Sequence, residues 1–222
     1  GREVAIPETE IRRLYPKQVA DETIGKLTEI RQQGYAYQAV QFSSPAEFAA
    51  LIAGYDDVGK APGGTDAQVQ AGYAQRAKVR DTLIAARQRA MEALKKDPAV
   101  YVGRAPAVAE ALASGDQEAY ARAALGEQER MGVPEADRRV LPKAQAAALV
   151  QQITTADPEK VPAAAALQGL AQKFGGAWPA VWRDMVREGL PPAYMVLGSM
   201  DAPGQVGARG DAQRMMSLVA QK

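Results

Sequence analysis

The stretch TDAQVQAGYAQRAKVRDTLIAARQRAMEALKKDP, residues 65–98, decides the fold. Thr65-Asp66-Ala67-Gln68 has the spacing of a capping box, in which Thr and Gln satisfy the first free N–H groups of a helix. No glycine follows Gly72, and no proline occurs before Pro98. The spacing predicts one continuous helix over 66–96, about 45 Å long. Lys95 and Lys96 fall at its negative dipole end, and Asp97-Pro98 closes it and caps the next turn.

Working outward toward the C-terminus, the punctuation predicts short helices over 107–113, 117–131, 143–154, 158–174, 179–188 and 192–199. Gly115-Asp116 starts one and Gly132 ends it. Asp157-Pro158 starts another and Gly175-Gly176 ends it, while Gly189-Leu190-Pro191-Pro192 reads as a left-handed cap followed by a proline stop. Residues 201–210 read as a linker and 212–221 as a short Met-rich helix. Val140-Leu141-Pro142-Lys143-Ala144 resembles Lys160-Val161-Pro162-Ala163-Ala164, which shared composition explains more simply than a repeat.

Toward the N-terminus, a helix is expected over 17–33, with Val19, Ile24, Leu27 and Ile30 inward and Gly34 as its stop. Tyr35 to Phe42 is rich in aromatics and reads as a short strand. Ser44-Pro45-Ala46-Glu47 starts a helix carrying Phe48, Leu51 and Ile52 that ends at Gly54, before a glycine-rich loop over 54–64. The fold class is therefore mainly α: a long helix followed by a bundle or array of short ones, with a strand at most over 35–42. The segments are 1–64, mixed helix and loop; 65–200, helical; and 201–222, linker and short helix.

Composition excludes more than it assigns. The 222 residues carry 27 Lys+Arg against 26 Asp+Glu, so the chain as a whole is neither a basic nucleic-acid coat nor an acidic tail. Cysteine is absent, which removes disulfides and thiolate metal sites, and histidine is absent, which removes the usual general base. Alanine accounts for 45 residues, and Leu, Ile, Val and Phe together for only 42, so the core is thin. No apolar run is long enough to span a membrane as a helix. The chain starts at Gly1 without a signal-like leader and reads as a fragment, a processed piece or an engineered one.

The candidate chemical motifs are weak. Gly54 to Lys60 has the spacing of a phosphate-binding loop, but Ala61 replaces the hydroxyl that would hold magnesium, and Pro62 forbids a long helix behind it. Arg209-Gly210-Asp211 is accounted for as a linker end and a helix cap. No Glu-Ser pair of the lysozyme-like kind occurs, a serine triad lacks its histidine, and no carboxylate pair sits in an apolar stretch. No cofactor, metal or small-molecule ligand is expected, nor any enzymatic activity within these residues.

The long helix holds the most informative pattern. Val69, Tyr73, Leu83, Ile84, Met91 and Leu94 fall on one side, and Arg76, Arg80 and Arg87 fall within the same stripe. One reading is a helix at the edge of a small core whose arginine stems pack and whose heads reach water. A second is a subunit interface where the guanidinium forks meet carboxylates of another copy. A third is nucleic-acid contact, since Lys78, Arg89, Lys95 and Lys96 share the helix, although no aromatic platform accompanies them. Arg76, Arg80 and Arg87 are the candidate interface residues. Trp178, Val181, Trp182, Met185 and Val186 form a further apolar face that Leu190 extends, either core or a docking face.

From Asp97 to Met200 the order of landmarks is Asp97-Pro98-Ala99-Val100-Tyr101, Gln128-Glu129-Arg130-Met131-Gly132-Val133-Pro134, Arg138-Arg139-Val140-Leu141-Pro142, Leu170 to Gly175, Trp178-Pro179 and Glu188-Gly189-Leu190-Pro191. This resembles a helical segment of very large virion proteins of tailed bacteriophages, internal (ejection) or tail-associated. The resemblance implies a non-enzymatic structural protein of the particle that assembles with itself or other virion proteins and helps deliver DNA across the host envelope. It implies residence in the virion, then in the host periplasm or envelope, with transient contact to DNA or envelope. It supplies no catalytic residue. The alternatives are a non-catalytic segment of a phage peptidoglycan-lytic enzyme whose catalytic module lies elsewhere, and a bacterial helical scaffold or adaptor.

Overall fold

A computed structural model describes residues 6–55, 67–155, 163–191 and 194. It is mainly α, with ten α-helices and no strand among the described residues. Residues 56–64 of the loop expected over 54–64, the capping box expected at Thr65, the helix start expected at Asp157-Pro158, the linker expected over 201–210 and the helix expected over 212–221 lie outside them, as does nearly all of the helix expected over 192–199. The chain divides into two compact units, 1–92 and 93–222, a division that falls inside the long helix.

In the first unit, α1 (Glu8–Leu14) packs on α2 (Lys17–Val40), followed by α3 (Pro45–Ala53) and α4 (Ala67–Lys96). Ile11 is buried and shares a crevice with Ile24 and Leu27 of α2. The expected strand over 35–42 is not formed, and Gly34 does not stop the helix: α2 runs on to Val40. The reason is the spacing of Ala36, Tyr37 and Val40, which is helical and brings all three onto Leu83 and Ala86 of α4 beside Phe48 and Ile52 of α3. A strand would have thrown Tyr35 and Tyr37 to one face with no neighbouring strand to pair. Val19 and Ile30, expected inward, are exposed.

The capping box at Ser44 forms as expected. The Glu47 N–H donates to Ser44 Oγ at 3.1 Å and the Ser44 N–H to Glu47 Oε2 at 2.6 Å. Helix α4 is continuous from Ala67 to Lys96 and buries Leu83, Ala86, Arg87, Ala90 and Leu94, at a spacing of about one and two turns. Val69 is exposed.

The second unit is built around α7 (Gln117–Arg130), against which α5 (Pro98–Val102), α6 (Pro106–Ala113) and α9 (Ala163–Phe174) pack. Helices α8 (Lys143–Thr155), α9 and α10 (Trp178–Arg187) contact one another. Ala121 and Ala124 of α7 are fully buried and let its neighbours approach closely. Asp116 caps α7 by accepting the Ala119 N–H at 2.9 Å. Gly132 (φ 85°) and Gly189 (φ 99°) end α7 and α10 in Schellman motifs: Val133 N–H donates to Gln128 O at 2.9 Å, and Leu190 N–H to Met185 O at 3.0 Å. Leu190, Val181 and Met185 are buried, so the apolar face of α10 is core, while Val186 at its edge is exposed.

Candidate functional site: a buried polar cluster around Asp184

Between α7 and α8 the chain runs through a one-turn 3-10 helix (Glu135–Asp137) and then non-helical from Arg138 to Pro142. Val140 and Leu141 are nearly or fully buried there. A buried backbone outside helix or sheet needs partners for its N–H and C=O groups, and here side chains from distant helices provide them.

Asp184, completely buried on α10, accepts the Val140 N–H at 2.7 Å and the Leu141 N–H at 3.0 Å on its Oδ2. Its Oδ1 lies 3.3 Å from Arg187 Nη1 and 3.7 Å from Arg139 Nε. Gln128 of α7, also completely buried, accepts the Arg139 N–H at 2.9 Å and donates to the Arg139 carbonyl at 2.6 Å. The Tyr120 hydroxyl donates to the Val140 carbonyl at 3.4 Å. Arg187 Nη1 donates to the Arg138 carbonyl at 3.0 Å, and its Nη2 donates to that of Ala136. Arg139 itself is buried and pairs with Glu188 at 2.5 Å. Its Nε makes no hydrogen bond among the described residues.

A second carboxylate does a similar job nearby. Asp97 Oδ1 accepts the Val100 N–H at 3.2 Å, capping α5, while its Oδ2 accepts the Lys143 N–H at 3.0 Å at the start of α8. One side chain thus caps two helices 46 residues apart.

Electrostatics follow from burial. Desolvation pushes the Asp184 carboxyl above the usual carboxylate range, against the two backbone N–H donors, Arg139 and Arg187, which pull it down. Burial and the charge of Asp97 raise the Tyr120 hydroxyl above its usual value. The sequence pattern considered only carboxylate pairs and did not single out Asp184, a lone acid that lies between Val181 and Met185 on the buried face of α10. The available signal was an acid one helical turn from Val181 and adjacent to Met185.

Chemically, the cluster is committed. Both oxygens of Asp184 and both ends of the Gln128 amide engage backbone or arginine. A polar crevice of about 550 Å3 lies beside Asp116, Gln145, Leu149 and Lys173, but the Asp116 carboxylate there holds the α7 cap. Among the described residues no three acids lie together as a metal-binding group, and no helix is long and apolar enough to cross a membrane.

The three arginines singled out on α4 lie beside its packed face and have separate fates. Arg87 is buried, donates to the Val40 carbonyl at 3.2 Å and sits 5.8 Å from the centre of the Phe48 ring. Arg76 donates to the Gly54 carbonyl at 2.9 Å. These cations sit at the negative C-terminal ends of α2 and α3 respectively, where a positive charge is favourable. Arg80 pairs with its neighbour Asp81 at 3.3 Å. The structure brings Arg87 to the end of α2 and Arg76 to the end of α3, and pairs Arg80 with Asp81 of its own helix. No protein-family model, curated protein or solved structure matches the chain.

Proposed function

We propose that this chain is a non-enzymatic structural protein of a bacteriophage particle, an internal or ejection protein that assembles with itself or with other virion proteins to help deliver DNA across the host envelope. The reading starts from the likeness of residues 97–200 to helical segments of such proteins. The observation that carries its non-enzymatic part is the commitment of Asp184, Gln128 and Arg187 to the backbone of Arg138–Leu141. In an enzyme, buried ionisable groups are held ready for a substrate; these hold the fold.

Passage through a tail favours a fold that can be opened and re-formed. At about 25 cal/mol per Å2 of apolar area, a core built on alanines such as Ala86, Ala90, Ala121 and Ala124 gains less per residue than one built on leucine. The absence of cysteine avoids wrong crosslinks in an oxidising periplasm.

The test is mass spectrometry of density-banded, DNA-filled particles from a lysogen or lysate encoding this sequence. Peptides of the chain should co-band with the particles and be depleted from particles that have ejected their DNA. Their absence from intact particles overturns the reading, as does clearing of peptidoglycan by the purified chain above a buffer control.

A further inference from the structure

The face of α4 opposite its packed side carries a self-complementary pattern. Ala71, Ala74, Lys78, Asp81, Ala85 and Gln88 recur at alternating three- and four-residue steps, the spacing of a coiled-coil seam. They lie about half a turn from Leu83 and Arg87, which pack inward. Ala85 is half-buried and the other five are exposed. Ala74, Lys78, Asp81 and Ala85 of this seam themselves line an open groove of about 570 Å3, whose other wall is Gln33 and Tyr37 of α2.

We propose that this face is a self-association seam, in which two copies of the chain pair antiparallel through α4. The argument is the order of the residues. Each pair of seam positions that sums to the same number meets across a twofold axis between Val79 and Arg80. That axis sets Lys78 of each copy against Asp81 of the other, so two equivalent ion pairs form at the centre. It sets Ala74 against Ala85 on either side, again twice, and Ala71 against Gln88 beyond. Alanines flanking the centre allow the axes to approach to about 8 Å, the close end of helix packing. Polar pairs at seam positions fix register and direction, because the neighbouring antiparallel registers set Lys78 against Ala74 or Gln88 and a parallel pairing sets it against its own copy, so only this one joins lysine to an acid. An isologous contact of this kind closes as a dimer.

The Asp81 side chain is two-thirds exposed, and Arg80 reaches its Oδ1 at 3.3 Å, an exposed pair that a lysine of the second copy can join or replace. The seam is distinct from Arg76, Arg80 and Arg87, of which Arg87 is buried on the packed face. It deepens the self-assembly reading above and rests on it only in that copies of the chain meet.

Sedimentation equilibrium of the full 222-residue protein tests it, with circular dichroism to confirm folding, since both charged positions are exposed. The wild type should show concentration-dependent dimerisation. Lys78→Asp and Asp81→Lys should each weaken it by about tenfold or more, since each places like charges at the twofold. The double exchange K78D/D81K should restore it. An equimolar mixture of the two single variants should form a heterodimer, because one chain then presents two acids and the other two lysines. A wild type that stays monomeric at the highest soluble concentration overturns the proposal, whatever else the chain binds. So do single variants that dimerise like wild type, or a double exchange or mixture that fails to recover. None of these outcomes touches the presence of the chain in particles, so the two readings fail separately.

Discussion

Asp184 holds Val140 by its backbone across 44 residues of sequence, carboxylate to N–H at 2.7 Å, with both residues completely buried. The same oxygen takes the N–H of Leu141, so a single side chain on α10 fixes the entry into α8. That relationship makes the energetics of the second unit unusually dependent on a few polar atoms.

Replacing Asp184 by alanine orphans two buried N–H groups and leaves Arg139 with Glu188 alone. The expected loss is about 3–5 kcal/mol, the scale of breaking a buried charge pair. Urea unfolding followed by tryptophan fluorescence reads it directly, because Trp178 and Trp182 lie on α10, ring centroids 5.8 Å apart. A loss below about 1 kcal/mol would show that the contact carries little.

The pH dependence of the same residue has a defined sign. Its carboxyl is raised in the folded chain, so the native state holds that proton more tightly than the unfolded state. Its contribution is therefore greatest below the ordinary carboxylate value, declines as pH rises through the folded value, and is flat above it. Measured against Asp184→Asn, the wild type should lose relative stability as pH rises from about 3 toward neutrality. The opposite slope would mean that the N–H donors and arginines outweigh desolvation.

Tyr120 sets an alkaline limit. Its hydroxyl is raised by burial and by Asp97, so the unfolded chain ionises first as pH climbs past about 10. Stability present below that value is lost on rising through it, until the folded hydroxyl also ionises. Tyr120→Phe removes this step at the expense of one long hydrogen bond, so the variant should lose less stability than wild type between about pH 9 and 11 in thermal melts.

Asp97→Ala uncaps α5 and α8 together. Two caps at about 1 kcal/mol each predict a loss of roughly 2 kcal/mol, where an ordinary surface aspartate would move stability by less than about 0.5. Asp97→Asn, which can still accept one N–H, should recover part of it in the same denaturation series.

On α4, Arg87→Ala should cost about 2 kcal/mol or more, since it removes a buried charged donor from the Val40 carbonyl and a cation from the Phe48 ring. Arg80→Glu, which loses the ion pair with exposed Asp81, should shift folding stability by under about 1 kcal/mol. Equal effects at the two positions would contradict the separate roles seen here.

Local punctuation was legible. Ser44, Asp116, Gly132 and Gly189 do what their residue types dictate within four positions of themselves, and α4 runs unbroken because nothing in its sequence breaks it. The run of α2 through Gly34 was not legible, because the benefit of continuing lies in Leu83 and Ala86, more than 40 residues away. The buried alanines of α4 were missed for a related reason: Ala86 and Ala90 are interior only because α4 is crowded on that side, and alanine carries no hydrophobic signature of its own. The polar cluster was least visible. Asp184, Gln128 and Arg139 stand far apart in sequence, and their types are those of a solvated surface.

The dependence of Arg138–Leu141 on α10 also bears on how the chain is made. During synthesis this stretch leaves the ribosome more than 40 residues ahead of Asp184 and Arg187, the groups that will hold it. Gln128 and Tyr120 precede it and can engage at once, but they leave the N–H groups of Val140 and Leu141 open to water. The second unit therefore stays unlatched at its centre until α10 has been translated, and a chaperone or partner that catches the nascent chain has that interval in which to do so.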